Sequence, residues 1–322
     1  EQALQQASSD SLSRYKARRF RDGATVFDLC CGIGGDLFSL ARRGPAVGVE
    51  RNAVLVEFAK ANCRALGLDG AKVEQRDVTA YPLAEMPLVH IDPDRRAHGR
   101  RTTTLAFHEP PEAFLQALIE QCPGGAIKLA PATGLPPGWM EHTELEWISQ
   151  HGESKQLVVW FGALARQPGS RMATAIGAAD DSVSFSSRAK GSGHLDVTGS
   201  LGRYLFEPNN AVIAARLVAE LGEREGLRLA SAGVAYLTGD APSQSPLLST
   251  FEVIEQSPMD LKRVKAMLKR HEVGALEIKK RGVAREPGSL RKKLRPPGDK
   301  PGTLIVTPVA GNVTAVLARR IV

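Results

Sequence analysis

Nowhere do the 322 residues contain an apolar run approaching the ~18 that a membrane helix needs, and the longest are strand-sized. The chain opens on Glu1 with a polar, Ser-containing stretch and no apolar h-region, so no secretory signal is visible. A start at Glu1 rather than Met leaves room for an upstream segment. The four cysteines, Cys30, Cys31, Cys63 and Cys122, form no C-x-x-C pair. Reduced, buried thiols of a cytoplasmic protein are the expectation. Seven histidines show neither H-E-x-x-H nor H-x-E…C-x-x-C spacing, which predicts no metal site. From Ser257 to Val322 there is no Phe, Tyr or Trp.

What is present is ordinary for a soluble globular chain: 43% hydrophobic and 24% charged residues. The length suits two domains of about 100–200 residues each. Net charge is +7, unevenly spread. Asp260 to Lys300 holds fourteen Lys/Arg and five Asp/Glu, a net +9 that leaves −2 for the rest. An anionic partner is expected at that C-terminal region.

Residues 1–22 predict a helical lead-in with a basic end of Arg14, Lys16, Arg18, Arg19 and Arg21. Ala24–Cys31 is apolar without alternation, as in a strand buried on both faces. A glycine cluster and a helix through Arg43 follow. Strands at Ala46–Glu50, Lys72–Asp77, Leu88–Asp92 and Ala126–Ala130 alternate with helices at Ala53–Leu66 and from Pro111 to Gln121. That alternation implies right-handed βαβ crossovers and a parallel sheet. Glu144–Ser149 and Gln156–Leu164 read as an antiparallel pair finishing the sheet, with a further strand or two within 166–200. The expected division is a lead-in over 1–22, a ligand-binding α/β domain over 23–200 and a smaller α+β domain over 201–322. In the latter, Asn210–Leu221 reads as one helix, Ser257-Pro258 as a helix start, and Ala310-Gly311-Asn312 as a hairpin turn.

Asp28-Leu-Cys-Cys-Gly32-Ile-Gly34-Gly35-Asp36 lies where the first strand turns into a helix. A ligand crossing this turn needs backbone without side chains, which glycine supplies. A pyrophosphate-binding turn would read G-x-G-x-x-G. Here the spacing is G-x-G-G, and two carboxylates, Asp28 and Asp36, would repel a pyrophosphate but suit a cation. S-adenosylmethionine, with its ammonium and sulfonium, fits better than a dinucleotide. Glu50 ends the second strand, where it can accept from ribose hydroxyls, and Asp77 ends the third, where it can reach an adenine amine. The expected cofactor contacts are Asp28, Cys30, Gly32, Gly34, Gly35, Asp36, Glu50, Arg51, Asp77 and Val78. A helix cap at Asp28 and a solvated strand end at Glu50 are the plainer alternatives.

Asp28-x-x-Cys31-Gly-x-Gly-Gly, Val47-Gly-Val-Glu50, Ala59…Asn62…Gly67 and Asp77 resemble the class I S-adenosylmethionine-dependent methyltransferases over residues 24–130. The Cys-Gly-x-Gly-Gly form is similar to the trimethylguanosine synthase branch. Tyr204-Leu-Phe-Glu-Pro208, Ala235-Tyr-Leu-Thr-Gly-Asp240 and Leu276-Glu-Ile-Lys-Lys-Arg-Gly282 resemble bacterial methyltransferases with a C-terminal THUMP-like domain. The resemblance implies a Rossmann-like α/β sheet, mostly parallel with antiparallel final strands, followed by a smaller α+β domain.

It also implies where transfer would occur. In relatives that methylate exocyclic amines, the fourth strand ends in Asp/Asn/Ser-Pro-Pro-aromatic. Here Asp92-Pro93-Asp94 stands there, followed by Arg95 and Arg96, so the stacking ring is missing. Phe107 and Trp139 are the candidates to replace it. Asp92, Pro93 and Asp94 are the expected catalytic residues, and Arg95 and Arg96, with Arg100 and Arg101, the expected phosphate contacts. In the basic region, Lys279-Lys280-Arg281 and Arg291-Lys292-Lys293 are the densest clusters. Without aromatic platforms they suit phosphates of folded RNA more than flexible single strands. The expected activity is methylation of a base in structured RNA. A non-catalytic S-adenosylmethionine- and RNA-binding protein, or a methyltransferase acting on protein or a small molecule, stays open.

Overall fold

Strand β1 (Val26–Leu29) is buried on both faces, and its neighbours are short apolar segments of the same kind. The computed structural model describes residues 9–94, 96–97, 100–188, 194–284, 287–296 and 298–321. The chain folds as two compact units, Glu1–Arg188 and Ala189–Val322.

The first unit opens with α1 (Asp10–Ala17), which buries Leu12, Ser13, Lys16 and Ala17. Then come β1, α2 (Leu37–Ala41), β2 (Ala46–Glu50), α3 (Ala53–Ala65), β3 (Ala71–Gln75), β4 (Val89–Ile91), α4 (Glu112–Gln121) and β5 (Gly124–Leu129). The strands β6 (Glu144–Gln150), β7 (Glu153–Gly162), β8 (Arg171–Ile176) and β9 (Ser182–Ser187) complete it. Among the described residues these make one sheet in the order β9-β8-β6-β7-β5-β4-β1-β2-β3. From β3 to β5 all neighbours are parallel; β7 runs antiparallel to both β5 and β6. The β6–β7 pair does not end the sheet, because β8 adds in parallel to β6 and β9 follows antiparallel. The order reverses between β1 and β4, which opens a crevice at their carboxyl ends.

Helix α1 is not a solvated basic arm. Leu12, Lys16 and Phe20 recur at helical spacing and are buried, whereas Arg14, Arg18 and Arg21 face solvent. Glu146 on β6, fully buried, accepts from Tyr15 (2.6 Å), Thr174 (2.6 Å) and the Trp160 indole (2.7 Å). Arg19 donates to Glu144 at 2.5 Å, and its guanidinium lies 4.6 Å from the Trp160 ring centroid. Such a satisfied polar cluster fixes the helix in one position on the sheet.

The second unit contains β10 (Tyr204–Pro208), α5 (Asn210–Ala214), α6 (Val218–Arg224), β11 (Arg228–Leu229), β12 (Leu237–Gly239) and β13 (Leu248–Pro258). It continues with α7 (Leu261–Arg270), β14 (Val273–Lys280), α8 (Pro287–Leu294), β15 (Lys300–Val309) and β16 (Asn312–Ile321). Its strands order as β11-β12-β10-β13-β16-β15-β14, antiparallel except for β14 against β15. Val197 bridges to Leu229, so the stretch before residue 200 joins the second unit's sheet.

Two local expectations are corrected. The segment 210–221 is two helices, interrupted where Arg216 takes a left-handed φ of 57°. Ser257 and Pro258 do not start a helix: they close β13, and Asp260 caps α7 by accepting from the amides of Lys262 and Arg263, both at 3.0 Å. Pro258 has no N–H to lose at a strand end, and an Asp at the next turn makes the better cap. Asp260→Ala should lower the unfolding free energy of this unit by about 1 kcal/mol, read by urea unfolding. The hairpin loop is two residues, Ala310 and Gly311, both with positive φ, and Asn312 already pairs with Val309.

Candidate cofactor and acceptor site

The turn after β1 is tight because its glycines let it be. Gly34 has a φ of 100°, and a Cβ there would stand 2.3 Å from the Phe38 ring, so any side chain would push α2 off the turn. At Gly48 on β2, a Cβ would meet Leu37 at 2.7 Å and the Cys31 sulfur at 3.0 Å. Glu50 holds the turn from the next strand: its carboxylate accepts from the Gly32 amide at 3.1 Å and from the Asn52 amide at 2.9 Å. Asn52 caps α3, and Asn62 on that helix donates to the Ile33 carbonyl at 3.1 Å.

Asp28, Cys30, Gly32, Gly35, Asp36, Glu50, Arg51, Asp77 and Val78 all line one cavity of about 450 Å³. Of the residues expected to hold the cofactor, Gly34 alone is outside that lining; its place is the packing of the turn on Phe38. Asp77 is exposed and accepts from the Thr79 amide (2.9 Å) and hydroxyl (2.7 Å), which hold its carboxyl below the ordinary range. Arg51, also exposed, is ion-paired with Glu109.

The floor of the cavity is electrostatically organised by side chains that the sequence did not single out. Asp28 and His90 are each 1% exposed, with Asp28 Oδ1 2.7 Å from His90 Nδ1. His90 Nε2 lies 3.2 Å from Lys16 Nζ, which lies 2.6 Å from Asp36. Lys128 on β5 stands between Asp36, at 3.9 Å, and Asp92, at 2.5 Å. A continuous chain of three acids and three bases therefore runs from the cofactor turn to the end of β4. Burial pushes the Asp36 carboxyl up, but the Lys16 ammonium, with Lys128, outweighs this and holds it well below the usual range. Burial raises Asp28, opposed by its His90 hydrogen bond. Burial likewise lowers Lys16, against the pull of Asp36.

Asp92, Pro93 and Asp94 line the same cavity, with Glu109, Pro110, Pro111 and Lys128. Asp94 and Glu109 exchange backbone hydrogen bonds, Asp94 N–H to Glu109 C=O at 2.8 Å and the reverse at 3.0 Å. Arg95 lies outside the described residues, as do the side chains of Arg96, Arg100 and Arg101. Neither Phe107 nor Trp139 lines the cavity; Phe107 is 57% exposed, and Trp139 is buried with its indole donating to Gln116 at 2.5 Å.

In the second unit, the three family-like stretches meet at one cluster. Glu207 accepts from Lys279 at 2.7 Å and from the Tyr236 hydroxyl at 3.3 Å, and Arg281 stands 3.6 Å from it. Lys279 and Arg281 are thus engaged within the domain, and Lys280 is half-buried beside them. Arg291 donates to the Leu276 carbonyl at 2.7 Å, while Lys292 and Lys293 are exposed on α8.

A glycine turn at the switch point of a parallel sheet, with acids near successive strand ends, is a Rossmann-like nucleotide site. The chain matches the Methyltransferase domain family over residues 20–92 and the THUMP domain-like family over 248–320. It is 33% identical, over 99% of its length and 87% of theirs, to uncharacterized S-adenosylmethionine-dependent methyltransferases from two strains of Mycobacterium tuberculosis. A crystal structure of a Porphyromonas gingivalis protein assigned to the methyltransferases shares the fold, with a TM-score of 0.84 at 24% identity over 100% of this chain and 83% of that one. The chain belongs to the S-adenosylmethionine-dependent methyltransferase family, and S-adenosylmethionine is its cofactor. The residues fit that ligand: Asp28 lines the cavity, and its Oδ2 is buried without a hydrogen-bond partner among the described residues, which suits an ammonium. No helix among the described residues is long and apolar enough to cross a membrane.

Proposed function

We propose that this enzyme methylates an exocyclic amine of a base in structured RNA. The observation that carries the reading is Asp92, a carboxylate at the end of β4 in the cofactor cavity, with Lys128 holding one of its oxygens at 2.5 Å. S-adenosylmethionine supplies a methyl group on a sulfonium, already a strong electrophile. Asp28 and Asp36 would face its amino-acid end, Glu50 its ribose and Asp77 its adenine. Asp92 Oδ1 accepts a hydrogen bond from the acceptor amine and so aims the nitrogen lone pair at the methyl carbon. As the N–C bond forms and the C–S bond breaks, the amine proton passes to Asp92 or Asp94 and on to water.

RNA is favoured by the THUMP-like match and by the exposed cations of α7 and α8. Lys262, Arg263, Lys265, Lys292 and Lys293 all face solvent. They take the phosphate role in this reading ahead of Lys279 and Arg281, which Glu207 engages. The Cys31-Gly-x-Gly-Gly turn supports a closer kinship with the trimethylguanosine synthase branch. An RNA acceptor and four free cysteines support a cytoplasmic setting.

The test is transfer of label from methyl-tritiated S-adenosylmethionine into total RNA and, separately, total protein from cells lacking the gene. Counts are expected in RNA. Reversing Lys292 and Lys293 to Glu should cut those counts and lower the log–log salt slope by about 1–2, with cofactor affinity unchanged. Counts in protein alone would overturn the RNA reading.

A further inference from the structure

Lys16 lies outside both matched family regions, on a helix preceding the first strand, yet its ammonium pairs with Asp36, which lines the cofactor cavity. It is 1% exposed, 2.6 Å from Asp36 Oδ1 and 3.2 Å from His90 Nε2. An ammonium can only donate, so Nε2 must accept. Nδ1 is then the ring nitrogen that donates, to Asp28 Oδ1 at 2.7 Å. Hydrogen-bond direction therefore runs outward from Lys16 along both arms and ends on two cavity-lining carboxylates, Asp36 and Asp28. The second oxygen of Asp28 is buried and has no hydrogen-bond partner among the described residues. A desolvated acceptor of that kind gains most from a cation.

The geometry points to Lys16 as a positioning residue for the amino-acid end of the cofactor. It orients Asp36 directly, and Asp28 through His90, toward the ligand's ammonium. Glu50 and Asp77 approach from other strands and accept from the amides of Gly32 and Asn52 and of Thr79. The role depends on the cofactor and not on the identity of the acceptor, so it stands or falls separately from the RNA reading. It also makes the lead-in helix part of the site: a chain cut to begin at the first strand would lose this relay.

The test compares two ligands that share the nucleoside. S-adenosylhomocysteine carries the amino-acid ammonium; 5′-methylthioadenosine lacks it. Calorimetric titration of Lys16→Met should weaken S-adenosylhomocysteine by tenfold or more, by about 1.4 kcal/mol per tenfold, and 5′-methylthioadenosine by less than about threefold. Lys16→Arg, which keeps the charge, should recover part of the loss. A thermal melt run alongside separates affinity from stability. If Lys16→Met does not fold, Lys16→Gln, one bond shorter and uncharged, should show the same split at a smaller size. Equal weakening of both ligands would mean that Lys16 only braces the fold. Unchanged affinity for both would also overturn the assignment.

Discussion

Asp92→Ala is expected to lower turnover by about 10²–10⁴-fold while cofactor affinity changes by less than about threefold. The argument is geometric. One carboxylate oxygen of Asp92 is held by Lys128 at 2.5 Å, which leaves the other for the acceptor. The side-chain hydrogen bonds that Glu50 and Asn62 make to the cofactor turn do not pass through Asp92. Removing the carboxylate does not strand Lys128, whose ammonium also lies 3.9 Å from Asp36. The variant should fold, bind S-adenosylmethionine and fail in transfer. Label incorporation under single-turnover conditions, paired with calorimetry, checks it. Turnover within threefold of the parent enzyme would remove Asp92 from the chemistry.

Glu50→Ala should act on the other half of the problem, weakening cofactor binding by about 10²-fold or more. The carboxylate accepts from two backbone amides, Gly32 at 3.1 Å and Asn52 at 2.9 Å, so it sets the turn as well as facing the ribose. Hydrogen bonds to a charged acceptor contribute about 1.5–3 kcal/mol each, and losing them loosens the turn that must present its backbone to the ligand. Glu50→Gln keeps one acceptor oxygen and should lose less. Calorimetry with S-adenosylhomocysteine measures both. Undiminished affinity in Glu50→Ala would count against the ribose assignment.

The parallel core and the cofactor turn were readable in the sequence because each is local. Glycines at 32, 34 and 35 between an apolar strand and a helix, then an acid at the end of the next strand, state their geometry within a few residues. The relay was not readable, because its members come from α1, β1, β4, β5 and the turn. In its own window Lys16 sits among arginines and looks like a solvated helix end. What betrays it is spacing: Leu12, Lys16 and Phe20 share one face. Lys128 gave a stronger sign, a lone cation in the apolar run Gly124-Gly-Ala-Ile-Lys-Leu129, and His90 a similar one between Val89 and Ile91. The start of α7 misled for a different reason. Ser257-Pro258 carries a valid helix-start pattern, but the antiparallel pairing of β13 with β16 extends through both residues. Likewise, the charge of Lys279 and Arg281 announced a binding surface until Glu207, remote in sequence, was brought beside them.

The paired backbone hydrogen bonds between Asp94 and Glu109 have a consequence for redesign. They clamp both ends of the chain that leaves β4 and returns ahead of α4, so whatever lies between them is insulated from the acids at its base. A segment of another length or sequence could therefore be seated between Asp94 and Glu109 without moving those acids. Grafting the segment from one relative onto another is the corresponding engineering route to a new acceptor.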